Sequence, residues 1–393
     1  MQTFDWIVVG NGLVGAAVSY ELAQCGLSVL LIDRALEPGN ATRYSYGGIP
    51  YWSGKTALTQ QLCQEGIAKH RQLSEELAGD TQYRDLDLVL TLAADGDPTL
   101  AAKPYADCAT PPRFVSAVEA KTLEPLLNEA AIAGAFTVRH GHVSPVALVN
   151  AYNQAFQRLG GTRIIASVVD IVRIKDKVTG VLTAEQAYPA KQVLVAAGAY
   201  SRALLHQANL NVPLYYTHAE LIETPPLDLK LQALIMPAQT QRFDLEAKAS
   251  QSDCDRQWDE PGHEVTPSIL DSGAIQFLDG HVCMGQISRT LTDLEADLEA
   301  AEGDRTMRAA LAAQLPALAT LPGTWRHCRV SFSRDGLPLV GAMPGVEGLH
   351  LIAGLSAPFV YLPPIAQRFA QAVVGDPDPV LGAMALERFA STD

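Results

Sequence analysis

The stretch IVVGNGLVGAA, residues 7–17, most constrains what this chain can fold into. An apolar strand runs directly into Gly10, Gly12 and Gly15, and a helix-forming run follows; a second apolar strand ends in Asp33. Glycines at this spacing allow a tight turn, the approach of a pyrophosphate, and close packing of the helix on the strand. The helix N-terminus offers N–H groups to phosphate, and the acid can accept hydrogen bonds from a ribose. The unit therefore predicts a βαβ dinucleotide-binding fold.

The composition narrows the class of protein. The chain has 393 residues, of which 48% are hydrophobic and 18% charged, as is typical of a globular enzyme of two or three domains. Its formal net charge of −14 argues against a nucleic-acid partner, because no basic stripe is present to neutralise phosphates.

The cysteines and the N-terminal apolar run bear on metal binding and location. Six cysteines are scattered without a C-x-x-C or zinc-like spacing, so we expect no metal centre, reduced thiols and a cytoplasmic protein. The uncharged run over 6–20 lacks a basic flank and meets Glu21 before the roughly 20 residues that a membrane span needs. We interpret it as the first strand and helix, not as a signal peptide or membrane segment.

Hydrophobic periodicity and turn residues predict the remaining elements. Helices are expected at 13–25, 56–78, 145–161, within 291–319, and up to about residue 374. Strands are expected at 87–93 and 162–195, the latter with a turn at Thr179–Gly180, and in LYYTHAELIET, SILDSGAIQFLDGHVCMGQIS and LHLIAG. The pair Asp279–Gly280 predicts a hairpin turn, and the acidic segment 246–264 an irregular surface loop.

Five segments fall in an order that resembles the D-amino acid oxidase superfamily of flavoproteins, with glycine and sarcosine oxidases nearest in pattern. They are VVGNGLVGAAVSYELAQCGLSVLLIDR, GHVSPVALVNAYNQAFQRLGG, VLVAAGAYS, RDGLPLVG and LHLIAGLS. The resemblance covers nearly the whole chain and implies an α/β fold that binds FAD. It implies a discontinuous Rossmann-like FAD-binding domain over 1–85, 140–212 and 321–393. A mixed antiparallel sheet over 86–139 and 213–320 would form the substrate domain.

The same resemblance implies which residues contact FAD. By position they are Gly10, Gly12, Gly15, Asp33, Arg34, Thr42, Arg43, Tyr46, Gly47, Gly48, Val169, Ala197, Gly198, Gly354, Leu355, Ser356, Val360 and Tyr361. The segment SAPFVYLPP departs from the family pattern, in which glycines are common near the start of the last helix. Its prolines at 358, 363 and 364 predict a stiffer loop with fewer N–H donors.

An amino acid substrate requires a cation for its carboxylate, and arginine matches that group bidentately. Relatives place this arginine five residues before the Asp of the D-G motif, whereas Arg329 lies six before Asp335. A one-residue bulge would bring Arg329 into the pocket; without one it faces the other way and serves in a structural ion pair. Tyr51 and Tyr216 are further candidates for the substrate cavity, or for core packing.

Cys328 has the spacing of the flavin-linked cysteine of sarcosine oxidases, but the surrounding motif differs. Buried cysteines are common in any case. We therefore expect non-covalent FAD.

The sequence thus predicts an FAD-dependent amine or amino acid oxidase or dehydrogenase. Its substrate would resemble glycine, sarcosine or a D-amino acid, and oxygen or a quinone would reoxidise the flavin. Two alternatives stay open. One is a dehydrogenase of a 2-hydroxy acid or polyol phosphate with a quinone acceptor, and the other is a non-catalytic flavin-binding protein.

Overall fold

The computed structural model describes residues 3–389, and in this range 17 strands build two sheets. The strands are β1 (Phe4–Val9), β2 (Val29–Asp33), β3 (Gly48–Ile49), β4 (Arg84–Ala93), β5 (Arg113–Ser116), β6 (Ile132–His142), β7 (Thr162–Ile165), β8 (Val168–Ile174), β9 (Lys177–Thr183), β10 (Ala187–Val195), β11 (Leu214–Glu223), β12 (Ala233–Pro237), β13 (Ile269–Gln276), β14 (Val282–Arg289), β15 (Thr324–Ser333), β16 (Leu339–Ala342) and β17 (Leu349–Ala353).

Helices cover both sheets. They are α1 (Leu13–Gln24), α2 (Ala57–Glu76), α3 (Pro98–Ala102), α4 (Ala117–Leu123), α5 (Pro145–Arg158), α6 (Tyr200–Gln207), α7 (Gln241–Ala249), α8 (Asp255–Trp258), α9 (Ala300–Gln314), α10 (Pro316–Ala319), α11 (Pro358–Val374) and α12 (Pro379–Gly382). No helix in the described range is long and apolar enough to cross a membrane.

The first sheet has the strand order β16-β17-β10-β1-β2-β7, and its central strands are parallel. The side chains of β1 alternate between two cores. Trp6 and Val8 face a layer formed by α1, α2, α5 and α11, whereas Ile7 and Val9 face α6 and β8–β9. Burial on both faces explains why β1 is apolar throughout.

The second sheet has the order β15-β11-β14-β13-β12-β4-β6-β3, with β15 at one edge and β5 added to β6. Helix α9 packs Met307 and Leu311 against one face, where Ile222 of β11 also lies. The opposite face carries Leu221, which belongs to a separate core with Trp52. The two faces of β11 therefore have different neighbours. Because successive side chains of a strand point to opposite faces, the position of a residue along β11 decides which of the two cores it meets.

The expected fold class is confirmed, with several local differences. The predicted turn at Thr179–Gly180 is wrong, because both residues lie inside β9. The segment 246–264 is not a plain loop, since it contains the end of α7 and all of α8. The helical prediction over 291–319 is correct only from Ala300 onward. Strand β15 falls in the segment expected to belong to the FAD-binding domain, yet it pairs with β11 in the second sheet.

The predicted stiff C-terminal loop is also wrong beyond Ala357, because Pro363 and Pro364 are inside α11. A proline lacks the N–H that would bond the carbonyl four residues earlier, so Pro363 frees the carbonyl of Phe359. The buried His70 Nε2–H on α2 donates to that oxygen at 2.5 Å. Burial lowers the pKa of His70 to about 4, which keeps the ring neutral. The helix thus continues through the prolines because another helix replaces the missing donor.

Candidate active site

A cavity of about 650 Å³ lies at the carboxyl ends of β1, β2, β10 and β17 and extends to the second sheet. At one end it is lined by Gly10, Gly12 and Asp33, which we call the nucleotide end. At the other, Arg242 and Glu246 of α7 reach it together with side chains of β11 and β14; we call this the α7 end. The crevice beyond the carboxyl ends of parallel strands is where α/β proteins bind their ligands.

The glycines of the first motif have distinct structural roles. Gly10 has φ +107°, a conformation that favours glycine, and a Cβ there would lie 2.5 Å from the Ala196 oxygen. A Cβ at Gly15 would lie 1.7 Å from the Gly10 oxygen, so this glycine lets α1 pack directly on the turn. Gly12 is the N-cap of α1 and supplies no side-chain cap.

Side chains from other segments organise the nucleotide end. The Asp33 carboxylate accepts hydrogen bonds from the backbone N–H of Asn11 at 2.5 Å and of Ala35 at 2.9 Å. Thr42 Oγ1 accepts from the N–H of Leu13 at 3.1 Å and so fixes the loop against the start of α1. The N-terminus of α1, an acid at the end of the next strand and an open cavity between them suit the pyrophosphate and ribose of a dinucleotide.

Ten of the residues predicted to contact FAD line this cavity: Gly10, Gly12, Asp33, Arg34, Thr42, Tyr46, Ala197, Gly198, Leu355 and Ser356. The guanidinium of Arg34 lies 4.2 Å from the ring centroid of Tyr200, which also lines the cavity. Position 169 differs: Val169 is exposed and outside the lining, whereas its neighbour Val168 is part of it.

The other predicted cofactor residues lie outside the lining. Arg43 Nη2 forms an ion pair with Glu223 at 2.6 Å. Gly47 and Gly48 permit close packing on neighbouring protein, because a Cβ would lie 2.1 Å from the Val143 oxygen and 2.7 Å from His140 Nε2, respectively. Their small size is therefore explained without a cofactor.

The C-terminal segment differs from the loop that we expected. Val360 and Tyr361 are buried in α11, and the oxygen of Val360 would lie 1.9 Å from a Cβ on Gly66 of α2. Gly354 has φ +70° and packs against Ser333. The segment thus reaches the cavity through its first part, at Leu355, Ser356, Pro358 and Phe359.

The three predicted catalytic side chains are not brought together. Strand β15 pairs with β11 without a register shift, so Arg329 lies opposite His218, on the other side of the sheet from Ala219 and Cys328. Although Arg329 contributes to the lining, its guanidinium donates to the oxygen of Leu294 at 2.6 Å and pairs with Glu295 at 2.9 Å. The bulge that would have turned it inward is absent from β15, as far as its pairing with β11 shows.

Unlike Arg329, the two tyrosines Tyr51 and Tyr216 lie outside the cavity lining. The Tyr216 hydroxyl donates to the oxygen of Thr292 at 2.6 Å, in a buried cluster with Trp258. Tyr51 packs on the core between α2 and α11, with the guanidinium of Arg71 at 6.0 Å from its ring. Both therefore have packing roles.

Cys328 lies on the cavity face of β15 and lines the cavity. It is 2% exposed, and burial raises the pKa of its thiol to about 12. Because the thiolate is the nucleophilic form, this environment disfavours covalent attachment of a cofactor.

The polar residues at the α7 end are not among those predicted from the sequence. Arg242 and Glu246 are four residues apart on α7 and form an ion pair at 3.5 Å. Gln286 lies in a bulge of β14, between the pairs Glu220–Ile287 and Leu221–Gly285. Bulges re-aim side chains and are common beside active sites. No local motif marks this group, since α7 and β14 meet only through the tertiary fold.

Burial sets the electrostatics of this end. The side chain of Glu246 is 9% exposed, and burial raises its pKa, with Asp271 on β13 adding to the rise and Arg242 opposing it. Asp271 responds in the same way, its pKa raised by burial and lowered by Arg242. One cation thus compensates two partly desolvated carboxyl groups, and a ligand carboxylate would compete with both for Arg242.

Comparisons with known proteins agree with this geometry. A family model described as FAD dependent oxidoreductase matches residues 5–372. An uncharacterised oxidoreductase of Bacillus subtilis is 26% identical over 94% of this chain and 95% of its own length. A glycine oxidase of Pseudomonas aeruginosa is 25% identical over 95% of this chain and 96% of its own length. The crystal structure of glycine oxidase from Geobacillus kaustophilus has a TM-score of 0.79 at 19% identity, with both chains covered completely.

Proposed function

This chain belongs to the family of FAD-dependent oxidoreductases, and from that premise we propose that it oxidises the C–N bond of a small amino acid or secondary amine. FAD, when bound, would supply flavin N5 as the hydride acceptor, and water would hydrolyse the imine product. FAD is the cofactor, and we propose that it is bound non-covalently because the Cys328 thiol is held protonated by burial. The cytoplasmic location and the electron acceptor stay predictions.

The observation that carries this proposal is the pair of opposite charges at the α7 end of the cavity. An amino acid is a zwitterion, and Arg242 and Glu246 present a cation and an anion to it from one face of α7. The arginine fork suits a carboxylate, and the glutamate suits an ammonium group. The glycine oxidase that matches this chain over nearly its full length supports the same substrate class.

The protein's contribution to the mechanism is to bind and orient. FAD, when bound, supplies the two-electron acceptor. The amides at the start of α1 and the Asp33 carboxylate would hold its pyrophosphate and ribose. Arg242 would fix the substrate carboxylate, which determines which C–H bond faces the reacting ring. Apolar side chains such as Leu221 and Phe332 line the cavity and exclude water from it.

A polyol phosphate substrate is less compatible with this site. A phosphate dianion calls for several cations, whereas the described lining holds no lysine and its arginines are engaged. Arg34 lies against Tyr200, Arg242 pairs with Glu246, and Arg329 pairs with Glu295. The acid at the α7 end would repel the phosphate.

The test is an anaerobic absorbance scan of the purified holoenzyme with glycine, sarcosine, proline, D-amino acids and 2-hydroxy acids. We expect one or more amino acids or amines to bleach the flavin, and readmitted air then shows whether oxygen reoxidises it. Bleaching by hydroxy acids alone would overturn the proposal in favour of a hydroxy-acid dehydrogenase. A flavin that no candidate bleaches would indicate a non-catalytic binding protein.

A further inference from the structure

Glu246 is one of two acids in the described cavity lining. Asp33, the other lining acid, is engaged by two backbone amides at the nucleotide end. The Tyr46 hydroxyl donates to the Gly285 oxygen, and burial holds its pKa well above the usual value. The Cys328 thiol is protonated, and the guanidinium groups do not release their protons. Glu246 is therefore the lining carboxylate that lies at the α7 end, beside Arg242.

We infer that Glu246 accepts a proton from the substrate ammonium group and so delivers the substrate as a free amine. This inference rests on the proposed function. The protonated amine has no lone pair, and a hydride can leave the adjacent carbon only when a nitrogen lone pair forms the C=N bond. One N–H bond of the ammonium breaks and one O–H bond forms on Glu246. The free amine then loses hydride with both electrons of its C–H bond, the FAD takes up that hydride, and a protonated imine remains for hydrolysis.

The surroundings of Glu246 suit this exchange. Two charged side chains act on it, Arg242 from its own helix and Asp271 from β13. Arg242 is its ion-pair partner at 3.5 Å, a long contact that a substrate carboxylate can replace. When the arginine turns to the substrate, the proton affinity of Glu246 rises, because Asp271 and burial then act unopposed. Binding of the carboxylate and uptake of the ammonium proton are therefore coupled through one arginine.

The experiment measures the rate of anaerobic flavin reduction against pH for the wild-type holoenzyme and Glu246→Gln, with the amino acid that bleaches best. In the wild type the rate should rise with pH through the pKa of Glu246 and then level off. In Glu246→Gln the rate at pH 7 should fall about 100-fold, the usual contribution of a general base. Its rise should move to the higher pH at which the substrate amine itself loses its proton.

Glu21→Gln is the matched control. Glu21 is a buried acid of α1 outside the cavity lining, and burial raises its pKa to about 7, the same direction as for Glu246. Its replacement should leave the pH profile unchanged. Glu246→Asp keeps a carboxyl group at this position, so its reduction rate should still rise at the lower pH seen in the wild type. This variant keeps the proposal testable if Glu246→Gln fails to fold.

The outcomes separate the two proposals. A wild-type flavin that amines do not reduce refutes the proposed function. If amines reduce the flavin but Glu246→Gln keeps the wild-type pH profile, only the role of Glu246 is refuted. The same conclusion follows if Glu21→Gln, and not Glu246→Gln, shifts the pH at which the reduction rate rises.

Discussion

Replacing Arg242 by glutamine removes the cation from the α7 end of the cavity and leaves a hydrogen-bonding side chain of similar reach. The Arg242 side chain is 29% exposed, so water only partly screens its charge. A hydrogen bond between charged groups contributes about 1.5–3 kcal/mol, and a value of about 2 kcal/mol corresponds to a roughly 30-fold weaker Kd for a carboxylate ligand. The loss of the positive charge also raises the pKa of Glu246 and Asp271, both of which Arg242 now lowers.

The assay is a titration of the oxidised holoenzyme with acetate, a carboxylate that has no amine to oxidise, followed by the change in flavin absorbance. Arg329→Gln is the matched control, because that arginine also touches the cavity but holds Leu294 and Glu295 with its guanidinium. We expect weaker binding in Arg242→Gln and an unchanged Kd in Arg329→Gln. The reverse pattern, or a wild-type Kd in both, would refute the assignment of Arg242.

Three further predictions follow from packing, burial and thiol chemistry. Gly15→Ala places a Cβ 1.7 Å from the Gly10 oxygen, so we expect a loss of about 3 kcal/mol or more in stability and a loss of FAD, measured by unfolding and by the flavin content of the purified protein. Gly382→Ala, where a Cβ would meet open space, should change neither, and an unaltered Gly15→Ala would contradict the packing argument. Glu21 has its pKa raised from 4.5 to about 7, so folding is penalised only when this acid is charged, and the penalty grows as the pH rises from about 4.5 to 7. Glu21→Gln should thus be about 3 kcal/mol more stable than the wild type in urea at pH 8 and equal to it at pH 4, whereas an equal gain at both pH values would rule out titration as the cause. Acid precipitation should release the flavin completely from the wild type and from Cys328→Ser; flavin that stays with the wild-type pellet alone would demonstrate a covalent link.

The nucleotide end could be predicted because its geometry is local. Gly10, Gly15 and Asp33 lie within one βαβ unit, and the strand–turn–helix pattern fixes their relative positions. The errors arose where a distant segment decides the local structure. The sequence predicts a turn at Gly180, but a Cβ there would lie 2.0 Å from the Tyr188 oxygen, so the glycine permits close pairing with β10. Pro363 predicts a loop from the sequence, but within α11 the carbonyl that it leaves without a donor is bonded by His70 of α2.

The arginine of the substrate site illustrates why the α7 end could not be predicted. Side chains of a strand alternate between faces, so a shift of one residue decides whether an arginine of β15 meets the cavity or the opposite side. The pairing of β15 with β11 is continuous, which places Cys328 on the cavity face and leaves the Arg329 guanidinium bound to Leu294 and Glu295. The cation at the α7 end comes instead from Arg242, on a helix whose contact with β13 has no counterpart in any short motif. We therefore expect this chain to bind its substrate carboxylate from the helix side, with Glu246 beside it to receive the proton of the amine.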